Sequence, residues 1–410
     1  MEEQKKLKLE DVVTLDKKRL LKEISGNNKF SINVCEPFNE LRIEFLNDFS
    51  NALKKQKKIY SYPNLIYLIF WCAKKKIANL AKDFKSNQIR LGRGLIFHIC
   101  PSNVPTNFIY SFFFGLLSGN SNIIKIPSKD SPEKKIIIST IKLLFKKKKF
   151  LDLKNSNSFI QYKSHAENTK KISSVCDGRV IWGGDQTINE IRKVWKPERA
   201  IEIAFADRYS LSVIDLHQLK KLKLKEISLL AKRFYYDGYS MNQLACNSPH
   251  FVFWVGKKNT KLQNYFWNQV SQIADKKFLF DDIHIVDKYM NLIENIITLD
   301  DFKNLKTFKN NLYLIDPSNK TSQIENIRGM NGTFFQKNIN EIEKLKKYIT
   351  KKCQTLSYFG FNKEKLKPFL LNNNLFGIDR IVPIGQALEI DIVWDGYEVI
   401  NFLSRVISLK

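Results

Sequence analysis

"GLIFHICPSNVPTNFIYSFFFGLLSGNSNIIKIPS", residues 94–128, contains the pattern that decides the fold. The apolar run Gly94–Pro101 has the length of a buried strand and ends in the turn "SNVP". An apolar helix is predicted next, through Gly115 to Leu117, and a Gly-Asn turn leads to a second buried strand, Asn122–Ile126. Two buried strands joined by a helix are typical of a parallel α/β sheet, which binds ligands at the ends of its strands.

Strands and helices keep alternating beyond this stretch. A helix is predicted to begin near Ser131-Pro132, and Gly183-Gly184-Asp185 precedes another helix. The block from Phe251 to about Asn372 repeats the alternation, which indicates a second α/β domain. The elements predicted between these points are helices over Lys134–Phe145, Gln186–Val194 and Lys225–Tyr236 and strands near Ser158–Tyr162, Arg179–Trp182 and Ser210–Asp215.

Both ends of the chain depart from this alternation. Residues 1–85 are predicted to be mostly helical, with amphipathic spacing in Leu41–Leu53 and in Leu65–Phe84. Residues 379–409 are predicted to be rich in strand, which suits an edge sheet in an oligomer.

Length and hydropathy indicate a globular protein. The chain has 410 residues, 43% of them hydrophobic, which is enough for two or three domains with a sizeable core. Its longest apolar stretches, such as Leu65–Ala73 and Asn107–Leu117, are well short of the ~20 residues that span a bilayer. Met1–Lys6 lack the apolar core of a signal peptide. We therefore expect a soluble, cytoplasmic protein with no integral membrane segment.

The charge of the chain is strongly basic, +27 from 68 Lys+Arg against 41 Asp+Glu. Such a balance is often a sign of nucleic-acid binding. Lysine dominates here, however, in runs such as Lys146–Lys149, whereas bidentate contacts to bases and phosphates favour arginine. We therefore expect no nucleic-acid partner. The surface also suits acidic partners, either a phosphorylated cofactor or an acidic carrier protein.

The cysteines and histidines do not predict a metal site. The six cysteines form no CxxC pair and the five histidines are spread through the chain, so any cofactor is expected to be organic. A lone buried cysteine is commonly a small hydrophobe, the expected role of five of the six: Cys35, Cys72, Cys100, Cys176 and Cys353.

Cys246 differs from the other cysteines in its surroundings. In "SMNQLACNSPHFVFWVG", residues 240–256, both of its flanks are polar or turn-forming, and Pro249 stops the segment just before an apolar strand. A thiol in such a loop can face a cleft and act as a nucleophile. A structural cysteine is the alternative.

Three other segments contain candidate residues, each with a structural alternative. In "CPSNVP", Asn103 follows a strand, where its amide can donate to a developing oxyanion or form an Asx turn. In "IIKIPSK", Lys125 and Ser128 lie at a strand end, where they can meet a phosphate or ribose or be merely solvated. In "IWGGDQT", Gly183 and Gly184 precede a helix, where backbone N–H groups can face a pyrophosphate or form a plain turn.

In this order, these segments resemble the fatty acyl-CoA reductases of the bacterial bioluminescence (LuxC) type, a branch of the aldehyde dehydrogenase superfamily. The resemblance covers about residues 85 to 410 and is carried by "GRGLIFHICPSNVPTNFIYSFFFGLLSGNSNIIKIPS", "VIWGGDQTINEIRK", "NQLACNSPHFVFW" and "GIDRIVPIGQALEIDIVWDGYEVINFLSRV". It implies an α/β, aldehyde dehydrogenase-like fold with a Rossmann-type nucleotide-binding domain, an α/β catalytic domain and a strand-rich oligomerisation segment. The expected divisions are 1–85 for the helical part of the nucleotide-binding region, 86–212 for the NADPH-binding domain, 213–385 for the catalytic domain and 386–410 for the oligomerisation segment.

The resemblance also implies roles for the candidate residues. Lys125 and Ser128 match the contacts to the adenosine ribose of the cofactor. Gly183 and Gly184 match the turn beside its pyrophosphate. Asp379 lies near the place where the superfamily often has a glutamate on the nicotinamide ribose.

Ser128 indicates which cofactor is used. NAD-preferring relatives frequently carry glutamate at this position, whose carboxylate binds both ribose hydroxyls and would repel a 2′-phosphate. Here Ser128 is followed by Lys129, which favours NADPH.

For catalysis, the resemblance implies that Cys246 is the acylated nucleophile and that Asn103 shares the oxyanion hole with the Cys246 N–H. Hydrolytic aldehyde dehydrogenases keep a glutamate upstream of the cysteine to activate water. Aligning Ser210–Asp215 with their strand puts Phe205 at that position, with Glu202 offset by three residues. A missing base makes hydrolysis slow but costs little if the acyl group leaves by reduction.

The expected function is therefore NADPH-dependent reduction of an acyl thioester to the aldehyde. The acyl donor is expected to be acyl-CoA or an acyl carrier protein. The expected partners, by analogy, are an acyl-protein synthetase, an acyltransferase and further copies of the chain. Two alternatives remain open: an NADP-dependent aldehyde dehydrogenase that works oxidatively, and a noncatalytic basic binding protein on the same fold.

Overall fold

Two large β-sheets, one in each of two units of the chain, form the framework of the fold. The computed structural model describes residues 6–8, 22–25, 29–84, 88–101, 104–162, 166–278, 280–299, 302–318 and 324–410. One unit comprises Met1–Ala206 and Ile390–Lys410, and the other comprises Asp207–Glu389. None of the helices in the described ranges is long and apolar enough to cross a membrane.

The first unit is built on the predicted parallel sheet. Its strands are β1 (Lys6–Lys8), β2 (Lys22–Ser25), β3 (Lys29–Ser31), β4 (Ile89–Gly92), β5 (Leu95–Ile99), β6 (Ser121–Lys125), β7 (Asn157–Gln161), β8 (Gly178–Trp182) and β9 (Ile201–Phe205). The helices of its first segment, Met1–Ala206, are α1 (Glu40–Lys54), α2 (Pro63–Trp71), α3 (Lys74–Asp83), α4 (Asn107–Leu117), α5 (Pro132–Leu144), α6 (Leu151–Ser156), α7 (Ala166–Ser173) and α8 (Asp185–Arg192). The six-stranded sheet has the order β2-β7-β6-β5-β8-β9, and β2 alone runs antiparallel within it.

A buried polar network fixes the centre of this sheet against α4. His98 on β5 is hydrogen-bonded through Nδ1 to Ser111 Oγ at 2.7 Å and through Nε2 to Asn122 Oδ1 at 3.0 Å. Trp182 Nε1 on β8 donates to the same Ser111 Oγ at 2.9 Å. Burial lowers the pKa of His98 to about 4, so the imidazole is neutral. Gly115 allows this close approach, since a Cβ there would lie 2.0 Å from Asn122 Oδ1.

The second unit is built on a seven-stranded sheet. Its strands are β10 (Tyr209–Asp215), β11 (Pro249–Val255), β12 (Phe302–Phe308), β13 (Leu312–Pro317), β14 (Thr333–Ile339), β15 (Cys353–Phe359) and β16 (Arg380–Pro383). Its helices are α9 (Leu216–Lys221), α10 (Leu224–Tyr239), α11 (Thr260–Lys277), α12 (Asp282–Leu299) and α13 (Lys363–Asn372). The order is β12-β13-β14-β11-β10-β15-β16, and β12 alone is antiparallel. Every residue of β11 is buried, which explains its continuous apolar sequence.

The ends of the chain differ in part from the prediction. Helices fill much of residues 40–83 as predicted, but the described residues before them form the three short strands β1 to β3. The tail contains the predicted short strands, β17 (Val393–Trp394), β18 (Tyr397–Glu398) and β19 (Ser404–Ile407), and also a helix, α14 (Val399–Leu403), that was not predicted. β19 pairs antiparallel with β4, so the tail completes the first unit.

Candidate active site

The amino edge of the second sheet gathers the loops that surround Cys246. Cys246 lies just before β11, whose neighbours in the sheet are β10 and β14. Because these strands are parallel, the residues that precede each of them meet at one edge. Ser210 Oγ, at the start of β10, donates to the carbonyl oxygen of Cys246 at 2.7 Å. This bond fixes the backbone of the cysteine against the neighbouring strand.

The backbone before Cys246 has a conformation that side chains rarely adopt. Met241, Asn242 and Gln243 have φ angles of 78°, 57° and 64°, all in the left-handed region. Holding a residue other than glycine there costs about 1–3 kcal/mol, so the surroundings must impose it.

The buried Gln243 side chain supplies the restraint on this loop. Its Nε2 donates to the carbonyl oxygens of Pro249 at 3.1 Å and Thr333 at 2.9 Å. Its Oε1 accepts from the N–H of Gly332 at 3.1 Å. The amide thus joins the loop to the starts of β11 and β14, and it holds Cys246 in a defined place.

Cys246 is also distinguished by its accessibility. Of the six cysteines, only Cys35 and Cys246 are partly exposed, and the others are buried. Burial raises the pKa of Cys100, Cys176 and Cys353 to about 12, which keeps these thiols protonated and inert. Burial also raises the pKa of Cys35. Among the described residues, no group of three or more His, Cys, Asp or Glu could hold a metal ion.

Arg328 is a charged residue of this site that the sequence did not reveal. Its guanidinium carbon lies 5.1 Å from the centre of the Tyr209 ring, and its Nη2 lies 3.4 Å from Asp207 Oδ2. The next residue, Gly329, offers its carbonyl oxygen to His250 Nδ1 at 3.1 Å. Burial and, to a smaller extent, the charge of Arg328 lower the pKa of His250 to about 3, so this histidine supplies no positive charge. Beside His250, the positive charge is therefore that of Arg328.

Asp379, predicted to face the nicotinamide ribose, takes part in an ion pair in the same unit. Its Oδ2 lies 2.5 Å from Nη2 of Arg208, and its N–H donates to the carbonyl oxygen of Gln354. Arg208 also donates to the carbonyl oxygens of Lys352 and Cys353. The carboxylate is thus held just before β16, at the edge that carries Cys246. Asn103, the predicted oxyanion donor, lies outside the described residues.

The candidate cofactor residues lie in the first unit, at the carboxyl edge of its sheet. Lys125 ends β6 and its Nζ lies 4.8 Å from the centre of the Tyr162 ring, and burial lowers the pKa of this lysine. Gly183 follows β8, and its N–H donates to the carbonyl oxygen of Phe205. Gly184 precedes α8, and a Cβ placed on it would have no atom within 4 Å. The backbone at the start of α8 is therefore open to a ligand.

Ser128 lies on an exposed turn whose backbone carbonyl oxygens accept hydrogen bonds from two side chains. Nζ of Lys134 donates to the carbonyl oxygens of Pro127 and Lys129 and forms an ion pair with Asp130 at 2.6 Å. Nε2 of Gln161 donates to the carbonyl oxygens of Pro127 and Ser128. The turn is therefore fixed by its backbone, while the Ser128 side chain stays exposed.

Phe205 and Glu202, the two residues that align near the glutamate of the hydrolytic enzymes, do not provide a free base. Phe205 ends β9, is 3% exposed and stacks on Trp182 with ring centres 3.9 Å apart. Both carboxylate oxygens of Glu202 are paired, Oε2 with Arg179 at 2.6 Å and Oε1 with Arg192 at 2.9 Å. Arg179 is itself 2% exposed, so its charge depends on Glu202 for neutralisation.

Comparison with solved structures gives the class of fold. The chain is similar to AldH from Staphylococcus aureus in a substrate-bound state, with a TM-score of 0.59 and 12% identity over 90% of this chain and 89% of that chain. It is similar to aldehyde dehydrogenase 21 from Physcomitrella patens, with a TM-score of 0.58 and 10% identity over 90% and 85% of the two chains. Lactaldehyde dehydrogenase from Escherichia coli gives a TM-score of 0.56 and 11% identity over 83% and 78%. The fold is that of the aldehyde dehydrogenases, as the sequence predicted.

The family follows from the sequence itself. A family model described as acyl-CoA reductase (LuxC) matches residues 75–406, and the chain belongs to this family. The predicted resemblance is thereby confirmed. The protein is an enzyme of the acyl-CoA reductase type, and its family and fold imply a nicotinamide cofactor. No curated protein sequence matches the chain.

Substitution of Gln243 tests whether its hydrogen bonds hold the cysteine loop in place. Replacing Gln243 with alanine should lower the free energy of unfolding of the second unit by about 2–4 kcal/mol, because buried backbone groups lose their partners and a cavity remains. It should also slow alkylation of Cys246 by iodoacetamide. Denaturant unfolding and peptide mass spectrometry measure the two effects. Gln272→Ala, at an exposed position on α11, should change neither. An unaltered alkylation rate in a destabilised Gln243→Ala variant would show that the loop does not depend on this side chain.

Proposed function

We propose that this protein reduces an acyl thioester to the aldehyde through an S-acyl intermediate on Cys246, with NADPH as the reductant. The observation that carries the proposal is the partly exposed Cys246 on a loop fixed by Gln243, in a chain of the acyl-CoA reductase family. A nucleophile held in one place needs little further ordering when the thioester binds.

In the proposed reaction, the Cys246 thiolate attacks the carbonyl carbon of the thioester. Its own N–H and the Asn103 amide stabilise the developing oxyanion. Collapse breaks the bond to the donor sulfur, which leaves as a thiolate and takes up a proton from solvent. One thioester replaces another, so the energy of this step is nearly balanced. The residues of this chain therefore contribute orientation and charge stabilisation.

The environment of Phe205 and Glu202 supports reduction over hydrolysis. Activation of water requires an unpaired base beside the acyl group. Phe205 has no titratable group, and Glu202 is engaged by two arginines. The acyl group on Cys246 is therefore proposed to persist until it is reduced, after which the thiolate of Cys246 leaves and is ready for another cycle.

The carboxyl edge of the first sheet fits a nicotinamide dinucleotide. Lys125 and the exposed Ser128 would hold the adenosine ribose and its 2′-phosphate, and the turn at Gly183 and Gly184, open at Gly184, would face the pyrophosphate. When bound, the reduced nicotinamide supplies the hydride that converts the acyl group to the aldehyde. Asp379 would bind the nicotinamide ribose through the carboxylate oxygen that Arg208 does not use.

The donor is proposed to be acyl-CoA or an acyl carrier protein. Both carry acidic groups, and a chain with a net charge of +27 attracts them over distances comparable to the Debye length. The other partners, an acyl-protein synthetase and an acyltransferase, are proposed by analogy alone. Self-association of the chain is part of this proposal.

Single-turnover labelling tests the nucleophile. The protein is mixed with a panel of acyl-CoA and acyl-carrier thioesters, and its intact mass is measured. We expect the mass of one acyl group on the native chain and on Cys35→Ala, which removes the other partly exposed thiol, and no adduct on Cys246→Ala. Labelling of Cys246→Ala to the same extent as the native chain would contradict the proposed role of Cys246.

Ser128 provides a test of the cofactor. Ser128→Glu should weaken NADPH binding tenfold or more, because a carboxylate next to the 2′-phosphate would repel it. A tenfold loss corresponds to about 1.4 kcal/mol of binding free energy. Binding of NADH should be unchanged or improved. Titration of cofactor fluorescence measures both. Ser139→Glu adds the same charge on the exposed face of α5 and should leave both affinities close to native. Equal weakening by both substitutions would mean that Ser128 is not at the ribose.

A further inference from the structure

We propose that Arg328 is the positioning residue that stabilises the Cys246 thiolate, with its guanidinium held beside the cysteine loop by Asp207 and Tyr209. The inference rests on the proposed function in one respect, the assignment of Cys246 as the nucleophile. No histidine or lysine adjoins Cys246 in the sequence, and the nearby His250 is neutral, so neither favours an ionised thiol. A thiolate is the reactive form, and it needs a positive environment to be populated near neutral pH.

The strand order places Arg328 at the same edge of the sheet as Cys246. Arg328 precedes β14, Cys246 precedes β11 and Asp207 precedes β10, and these three strands are adjacent and parallel. Backbone contacts join the segment after Arg328 to the cysteine loop. The N–H of Asn331 donates to the carbonyl oxygen of Asn242 at 3.2 Å. Gly332 N–H donates to the Gln243 side chain, which in turn donates to the carbonyl oxygen of Thr333, so the two segments are also joined there.

The guanidinium of Arg328 is fixed on two sides. It lies over the ring of Tyr209, whose hydroxyl donates to the carbonyl oxygen of Tyr348 at 2.7 Å. Asp207 faces it at 3.4 Å, a distance that allows attraction but is too long for a strong bidentate pair. Ser210, next to Tyr209, is the residue that holds the carbonyl oxygen of Cys246. The Arg328 guanidinium and the Cys246 backbone thus contact Tyr209 and Ser210, which are neighbouring residues of one strand.

Electrostatics supports this assignment. Burial lowers the pKa of Arg328, and the negative charges of Asp207 and of the Cys246 thiolate oppose that shift. The attraction is mutual, so a charged Arg328 favours the ionised form of Cys246. Arginine keeps its proton at every pH at which the enzyme would work. Further titratable or charged groups lie around Arg328 and the cysteine loop: His250, His284, Glu325, Tyr209, Cys353, the Arg208–Asp379 pair, and Lys352, whose Nζ lies 4.0 Å from Asp207 Oδ2.

The pH dependence of alkylation tests the proposal without substrate or cofactor. In a Cys35→Ala background, the rate of iodoacetamide labelling of Cys246 is measured from pH 5 to 10. Arg328→Met should raise the midpoint of this profile by about one pH unit or more, and Arg328→Lys should restore much of the difference. Arg328→Gln, which removes the charge but keeps a polar side chain, should raise the midpoint as well. Arg192→Met removes an exposed positive charge of the first unit and should not move it.

These outcomes separate an electrostatic role from a structural one. A folded Arg328→Met variant with the native midpoint overturns the proposal. If Arg328→Met does not fold, Arg328→Gln decides, and a folded Arg328→Gln variant with the native midpoint contradicts the proposal. Because alkylation requires no thioester, absence of acyl transfer with the expected shift would refute the reductase function and leave the role of Arg328 intact.

Discussion

The parallel direction of five adjacent strands in the second unit is the constraint on which the proposed chemistry depends. It places the residues before β10, β11, β14, β15 and β16 at one edge of the sheet. Cys246, Arg328 and Asp379 come from distant parts of the chain and lie along the same edge for this reason. In the first unit, the parallel strands bring their carboxyl ends to one edge of the sheet, where Lys125 and Gly183 lie. One sheet thus carries the proposed nucleophile at its amino edge, and the other carries the candidate cofactor residues at its carboxyl edge.

The conformation of the cysteine loop shows how the fold supports a reactive group. Three consecutive left-handed residues are unfavourable by themselves, and buried hydrogen bonds of Gln243 offset that cost. Strain maintained by the surroundings is common where a side chain must be held for chemistry. Phe205 and the doubly paired Glu202 offer no free base at the two positions that align near the hydrolytic glutamate.

The sequence predicted the parts of the structure that depend on local patterns. The strand–helix–strand pattern of residues 94–128 was predicted because each apolar run has the length of one element and is bounded by Gly, Pro or Asn. Cys246 was distinguished by its polar flanks. Arg328 was not found, since its significance depends on the order β14-β11-β10, which no local pattern contains. The restraint by Gln243 was missed for the same reason. The strands β1 to β3 were missed because three or four residues are too few to show a period.

The fate of the acyl group on Cys246 tests the central claim most directly. The protein would be loaded with one acyl thioester, freed of excess donor and divided between buffer alone and buffer with NADPH, and the aldehyde and the free acid would be quantified over time. The proposed mechanism predicts rapid formation of aldehyde with NADPH and an adduct that persists in buffer alone. Prompt release of free acid in buffer, with no aldehyde when NADPH is added, would contradict it.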